Sequence, residues 1–119
     1  MRRLVSANNG YEASSEKTAS GNAASFDGSA ARIIEYWINV TAIGASADYD
    51  FNAQTSIQKL GSTSPSPIFL TQKTLNITAT GLYVIVINRV DHALGLLNRL
   101  SWVKNTTEIT FDAKTVIVE

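Results

Sequence analysis

The sequence predicts an all-β domain: an antiparallel two-sheet β-sandwich, or jelly-roll-like module, with an extended N-terminal arm. Three observations carry that expectation. Residues 48–58 alternate without interruption between polar and less polar side chains, the period-two pattern of a half-buried strand. Residues 32–43 repeat the alternation in β-branched and aromatic side chains, which suit a pleated, half-buried surface. Seven or eight such runs follow one another between turn formers, too many for one open sheet that does not fold over on itself.

At the N-terminus, the first thirty residues hold only Leu4, Val5, Tyr11 and Phe26 as large apolar side chains besides Met1. Such a segment cannot offset its own ordering entropy. Residues 1–13 are therefore expected to form an arm, ordered by lying on a neighbouring subunit, and residues 14–119 the sandwich. Leu4, Val5 and Tyr11 are the candidate anchors, flanked by Arg2 and Arg3. A weak first strand is also compatible with residues 16–25.

In the next strand Ile34, Tyr36, Ile38, Val40 and Ala42 share one face, with Glu35, Trp37, Asn39 and Thr41 opposite. Gly44-Ala45-Ser46-Ala47 turns the chain into the 48–58 strand. There Tyr49, Phe51, Ala53, Thr55 and Ile57 face one way, and Asp48, Asp50, Asn52, Gln54, Ser56 and Gln58 the other. Residues 61–67, rich in Ser and Pro, cannot continue a ladder. A short strand is expected at 68–70 and another where Leu75, Ile77 and Ala79 alternate. After the break at Gly81, residues 82–87 are apolar on both faces, which predicts the most buried strand. Residues 89–98 read as a loop or a single helical turn. Residues 99–104 and 107–118 complete the domain, with Ile109, Phe111, Ala113 and Ile117 on one face.

Composition narrows function more than it identifies it. The chain has 119 residues, one domain's length, and a hydrophobic fraction of 45% supplies a core. Ten basic against ten acidic residues leave no net charge, and the only adjacent basic pair is Arg2-Arg3. A nucleic-acid ligand, which demands a basic stripe, is not expected. With no cysteine there is no thiol or zinc-thiolate chemistry. The start lacks the apolar core of a signal peptide, and no stretch approaches membrane-spanning length, so no membrane partner is expected. Three sequons, at Asn39, Asn76 and Asn105, are read as chance in a chain rich in Thr and Asn.

Catalytic and ligand-binding constellations are weak. The one histidine, His92, follows Asp91, but adjacent side chains diverge, and no serine occupies a nucleophile elbow. Asp48 and Asp50 lie on one strand face without the further ligands of a calcium loop. Tyr36, Trp37 and Trp102 would suit either a sugar-stacking platform or the core, and core is preferred. No enzyme, cofactor or metal is expected.

Taken in order, several short runs resemble a known family. They include Ser25-Phe26-Asp27, Ile38-Asn39-Val40-Thr41-Ala42, Gln54-Thr55-Ser56, Phe69-Leu70-Thr71-Gln72, Ile77-Thr78-Ala79-Thr80-Gly81-Leu82-Tyr83, Asn98-Arg99-Leu100-Ser101-Trp102 and Ile109-Thr110-Phe111. Over about residues 15–118 the chain looks like the small β-sandwich decoration (cement) proteins of tailed-bacteriophage heads. It departs from them in lacking an Asp-Gly-x-x-Trp turn, replaced by residues 61–67, and in ending on Ile109-Thr110-Phe111 rather than Phe-x-Phe. The resemblance implies a non-enzymatic virion protein on the outer capsid surface, assembled in the host cytoplasm. Its implied partners are the major capsid protein and further copies of itself, as dimer or trimer. Another virion part (tail, neck or head fibre) and a carbohydrate-binding or cell-surface module are the alternatives.

Overall fold

Alternating side chains need something to bury their apolar half, and here each of two antiparallel sheets supplies it for the other. The computed structural model describes residues 4–28, 30–56, 68–90, 97–104 and 107–119, with side chains from Tyr11 onward. The strands are β1 (Leu4–Lys17), β2 (Gly21–Asn22), β3 (Phe26–Asp27), β4 (Ile33–Ile43), β5 (Tyr49–Ser56), β6 (Leu70–Ile77), β7 (Gly81–Asn88), β8 (Leu97–Lys104) and β9 (Ile109–Val118). No helix occurs among the described residues. The first sheet has the order β1-β9-β4-β7; the second runs β2-β8-β5-β6, with β3 also paired to β8.

The strands read most firmly from alternation fall as expected. Tyr49, Phe51, Ala53 and Thr55 are buried from β5, and Ile34, Tyr36, Ile38 and Val40 from β4. From β9 come Ile109, Phe111, Ala113, Thr115 and Ile117. The aromatic rings lock the layers together. Phe111 meets Phe51 and Trp102 edge-on, each at 5.0 Å between centroids, the geometry that ring quadrupoles favour. Trp102 donates its indole N–H to the carbonyl of Ala19 at 3.1 Å. The Tyr49 hydroxyl reaches the Thr107 carbonyl at 2.5 Å.

Among the described residues, the hydroxyls of Tyr36 and Thr115 are buried without a hydrogen-bond partner. Burial raises the pKa of Tyr36 far above its ordinary value by disfavouring the phenolate. Tyr49 is raised as well, by burial first and by nearby Glu108 second.

Six expectations are corrected. The backbone of residues 4–13, expected to project as an arm, lies in β1, antiparallel to β9 along the edge of the first sheet. An edge strand draws its stability from the backbone ladder, so it needs few apolar side chains. The 82–87 run is not the most buried strand, because among the described residues β7 is an edge strand paired only with β4. Its Ile85 and Ile87 point into the core, whereas Leu82 and Val84 are 64% and 40% exposed. Ala42 does not share the inward face of β4. A bulge between Val40 and Ala42 shifts the alternation by one, exposing Ala42 and packing Ile43 against the core. Residues 68–79 give one strand, β6, rather than two. Finally, β8 begins at Leu97, two residues inside the expected loop, and pairs with β5 through Ser56, which is buried rather than wet.

Gly81 sits at the turn into β7 with a φ of +148°, a conformation that side chains resist and glycine accepts.

Candidate interaction surface

A two-layer sandwich leaves each sheet an outer face, and the two faces here differ in chemistry. On the second sheet, polar side chains are tied to one another. The Asn76 amide donates to Asp50 at 2.9 Å and also to Asp48. Thr74 donates to Asn52 at 2.7 Å, Gln54 to Thr71 at 3.2 Å, and Arg99 to Gln54 at 2.8 Å. The Arg99 guanidinium also lies 3.8 Å over the Phe69 ring, and burial lowers its pKa. Asp48 and Asp50, weighed above as calcium ligands, thus share an amide. No group of three His, Cys, Asp or Glu side chains among the described residues could hold a metal ion.

The outer face of the first sheet is built differently. β4 presents Glu35, Trp37 and Asn39, β7 presents Leu82, Val84 and Val86, and β9 presents Asp112, Lys114 and Val116. Trp37 occupies the middle, with Val84 opposite it on β7 and Lys114 opposite it on β9. Its indole N–H donates to Glu35 at 3.0 Å, which satisfies the polar end of the ring and fixes its orientation. Asn39 similarly donates to Asp112 at 3.2 Å. A shallow groove across β9, β4 and β7 is lined by Trp37, Leu82 and Val116 interleaved with Asn39, Asp112 and Lys114. Trp37 is 38% exposed. The strip is apolar because β7 carries β-branched or leucyl side chains outward as well as inward, and no third layer of described residues covers them.

The sugar-stacking platform is not formed. Tyr36 and Trp102 point into the core, on the opposite side of their sheets from solvent, and Trp37 alone of the three is exposed. Of the expected arm contacts, Arg2 and Arg3 lie outside the described residues. Leu4 and Val5 are known here by backbone register alone, opposite Val118 and Ile117. Tyr11 is exposed on β1. His92 and Asp91 also lie outside the described residues, as does the 61–67 turn. No helix of the described residues is long and apolar enough to cross a membrane.

Sequence reasoning missed the Trp37 strip. The available signal was that β7 is apolar at Leu82, Val84 and Val86 while its partner β4 places Trp37 among polar residues on the same side. Compared with protein families, curated proteins and solved structures, the chain matches none.

Proposed function

We propose that this protein is a non-enzymatic virion component that decorates and stabilises the outer surface of a bacteriophage capsid, bridging neighbouring major capsid subunits. The observation that carries the reading is the Trp37–Leu82–Val84 strip, set against the polar ladder of the opposite sheet. The second sheet also exposes Leu70 and Val103, but its Asn52, Gln54, Asn76 and Arg99 side chains are already hydrogen-bonded to neighbours and have less to gain from a partner. An oriented tryptophan with apolar neighbours gains from every square ångström removed from water. The resemblance of the strand sequences to decoration proteins supplies the identity of the partner.

Magnitudes favour bridging over a single contact. Three strands about 5 Å apart and about 25 Å long present on the order of 400 Å². A standard interface needs roughly 800 Å² per partner. One face therefore binds weakly alone, and attachment strengthens when several copies, or several contacts, engage one lattice.

The test combines Trp37→Lys with Val84→Lys and adds the purified protein to undecorated shells, counting bound copies. Both positions face solvent, so each change is expected to move stability by about 0.5 kcal/mol or less. Occupancy should fall by more than about tenfold, the equivalent of ~1.4 kcal/mol. Wild-type occupancy by a normally folded variant would remove this face from the account.

A further inference from the structure

The register of β1 on β9 shifts twice. Residues 4–7 lie opposite residues 115–118 as a first block, and a second block, residues 12–17 opposite residues 109–113, is itself interrupted by a smaller shift between Glu12 and Ser15. Between them, residues 8–11 face the single residue Lys114. This is a far larger excess than the one extra residue of an ordinary bulge. The inserted sequence is Asn8-Asn9-Gly10-Tyr11, rich in residues that accept turn and left-handed conformations.

The second block is fastened to the core. Lys17 Nζ pairs with Glu12 at 2.6 Å and lies 5.5 Å over the rings of both Trp102 and Phe111. The charged end of Lys17 thus rests against the aromatic cluster that joins the two sheets. A break at residues 8–11 therefore leaves the domain from residue 12 onward with its core contacts in place.

We propose that residues 4–7 are an exchangeable strand, which leaves its own β9 and pairs with residues 115–118 of a second copy of this chain, with residues 8–11 as the hinge. The ladder offered by the second β9 is identical, so the hydrogen bonds lost and gained cancel. Hinge strain and concentration then set the balance, as in domain swapping generally. Four hinge residues span at most about 14 Å, which requires the acceptor strand to lie beside the donor domain. The chain's zero net charge puts no long-range repulsion between the copies. This inference does not depend on the capsid reading, although a lattice would hold copies at the high local concentration that exchange requires.

Because the chain has no cysteine, introduced thiols report pairing without background. Ser6 and Val116 are register partners, within the span that a disulfide bridges. The Ser6→Cys and Val116→Cys chains are mixed at high concentration, oxidised and separated without reductant. A mixed disulfide dimer well above either single variant alone is expected, and wild-type protein should sediment as a concentration-dependent dimer that a chain lacking residues 1–7 does not form. The proposal is overturned if the Ser6→Cys/Val116→Cys double variant closes only within its own chain and the mixture gives no hetero-linked dimer. It is equally overturned if wild type remains monomeric at every concentration, or if the double variant forms no disulfide at all.

Discussion

Ile85→Asp is expected to abolish folding at ordinary temperature, while Val84→Asp, one residue away, leaves a folded protein. Ile85 is 1% exposed and points between the sheets from β7, opposite Tyr36 in the ladder. A carboxylate there would enter an apolar layer in which the Ile85 site is opposite Tyr36 and, among the described residues, no cationic partner is placed beside it. It must either remain ionised in an apolar environment or hold its proton, and both are costly. The expected loss exceeds ~4 kcal/mol, a large share of the roughly 5–15 kcal/mol that stabilises a typical domain. Val84 faces outward beside Trp37, so the same substitution loses only a cross-strand contact of about 1 kcal/mol or less. Urea unfolding of both variants measures the difference. Equal behaviour of the pair, in either direction, would contradict the inward and outward assignments of β7.

Phe111→Ala should produce the next largest loss, about 3–5 kcal/mol. The ring is fully buried, touches Phe51 and Trp102 edge-on, and lies beneath Lys17. Truncation leaves a cavity where both sheets and the fastened end of β1 converge, and neighbouring strands cannot collapse into it without breaking their ladders. Lys114→Ala, on the outer side of the same strand, should cost about 0.5 kcal/mol or less. Thermal unfolding of the two variants checks the contrast, and a Phe111→Ala protein as stable as wild type would place the aromatic cluster outside the core.

How much of this was legible in the sequence depended on whether a strand has one wet face. β5 and β9 alternate because one side meets the core and the other meets water, and their inward residues could be named from period except at the strand ends, where Ser56 and Val118 are buried against the alternation. β7 could not be read that way. A run apolar on both sides fits a strand covered by two layers, and equally one whose outer side awaits a partner, and only strand order distinguishes them. β1 escaped notice for the opposite reason, since an edge strand closes its ladder with backbone groups common to every residue. The bulge at Thr41 was invisible because nothing in Val40-Thr41-Ala42 differs from regular strand sequence. Trp37 was grouped with Tyr36 and Trp102 by residue type, although alternation already set it opposite Tyr36.

The central claim is that the Trp37 face is the surface by which the protein attaches to a capsid. It is tested most directly by following Trp37 itself. In a Trp102→Phe background, Trp37 is the one remaining tryptophan, and its emission and acrylamide quenching can be recorded before and after saturating undecorated shells. Attachment through this face predicts a blue-shifted emission and loss of quenching as copies bind. Trp37 emission that stays red and fully quenchable while the shells fill would contradict it.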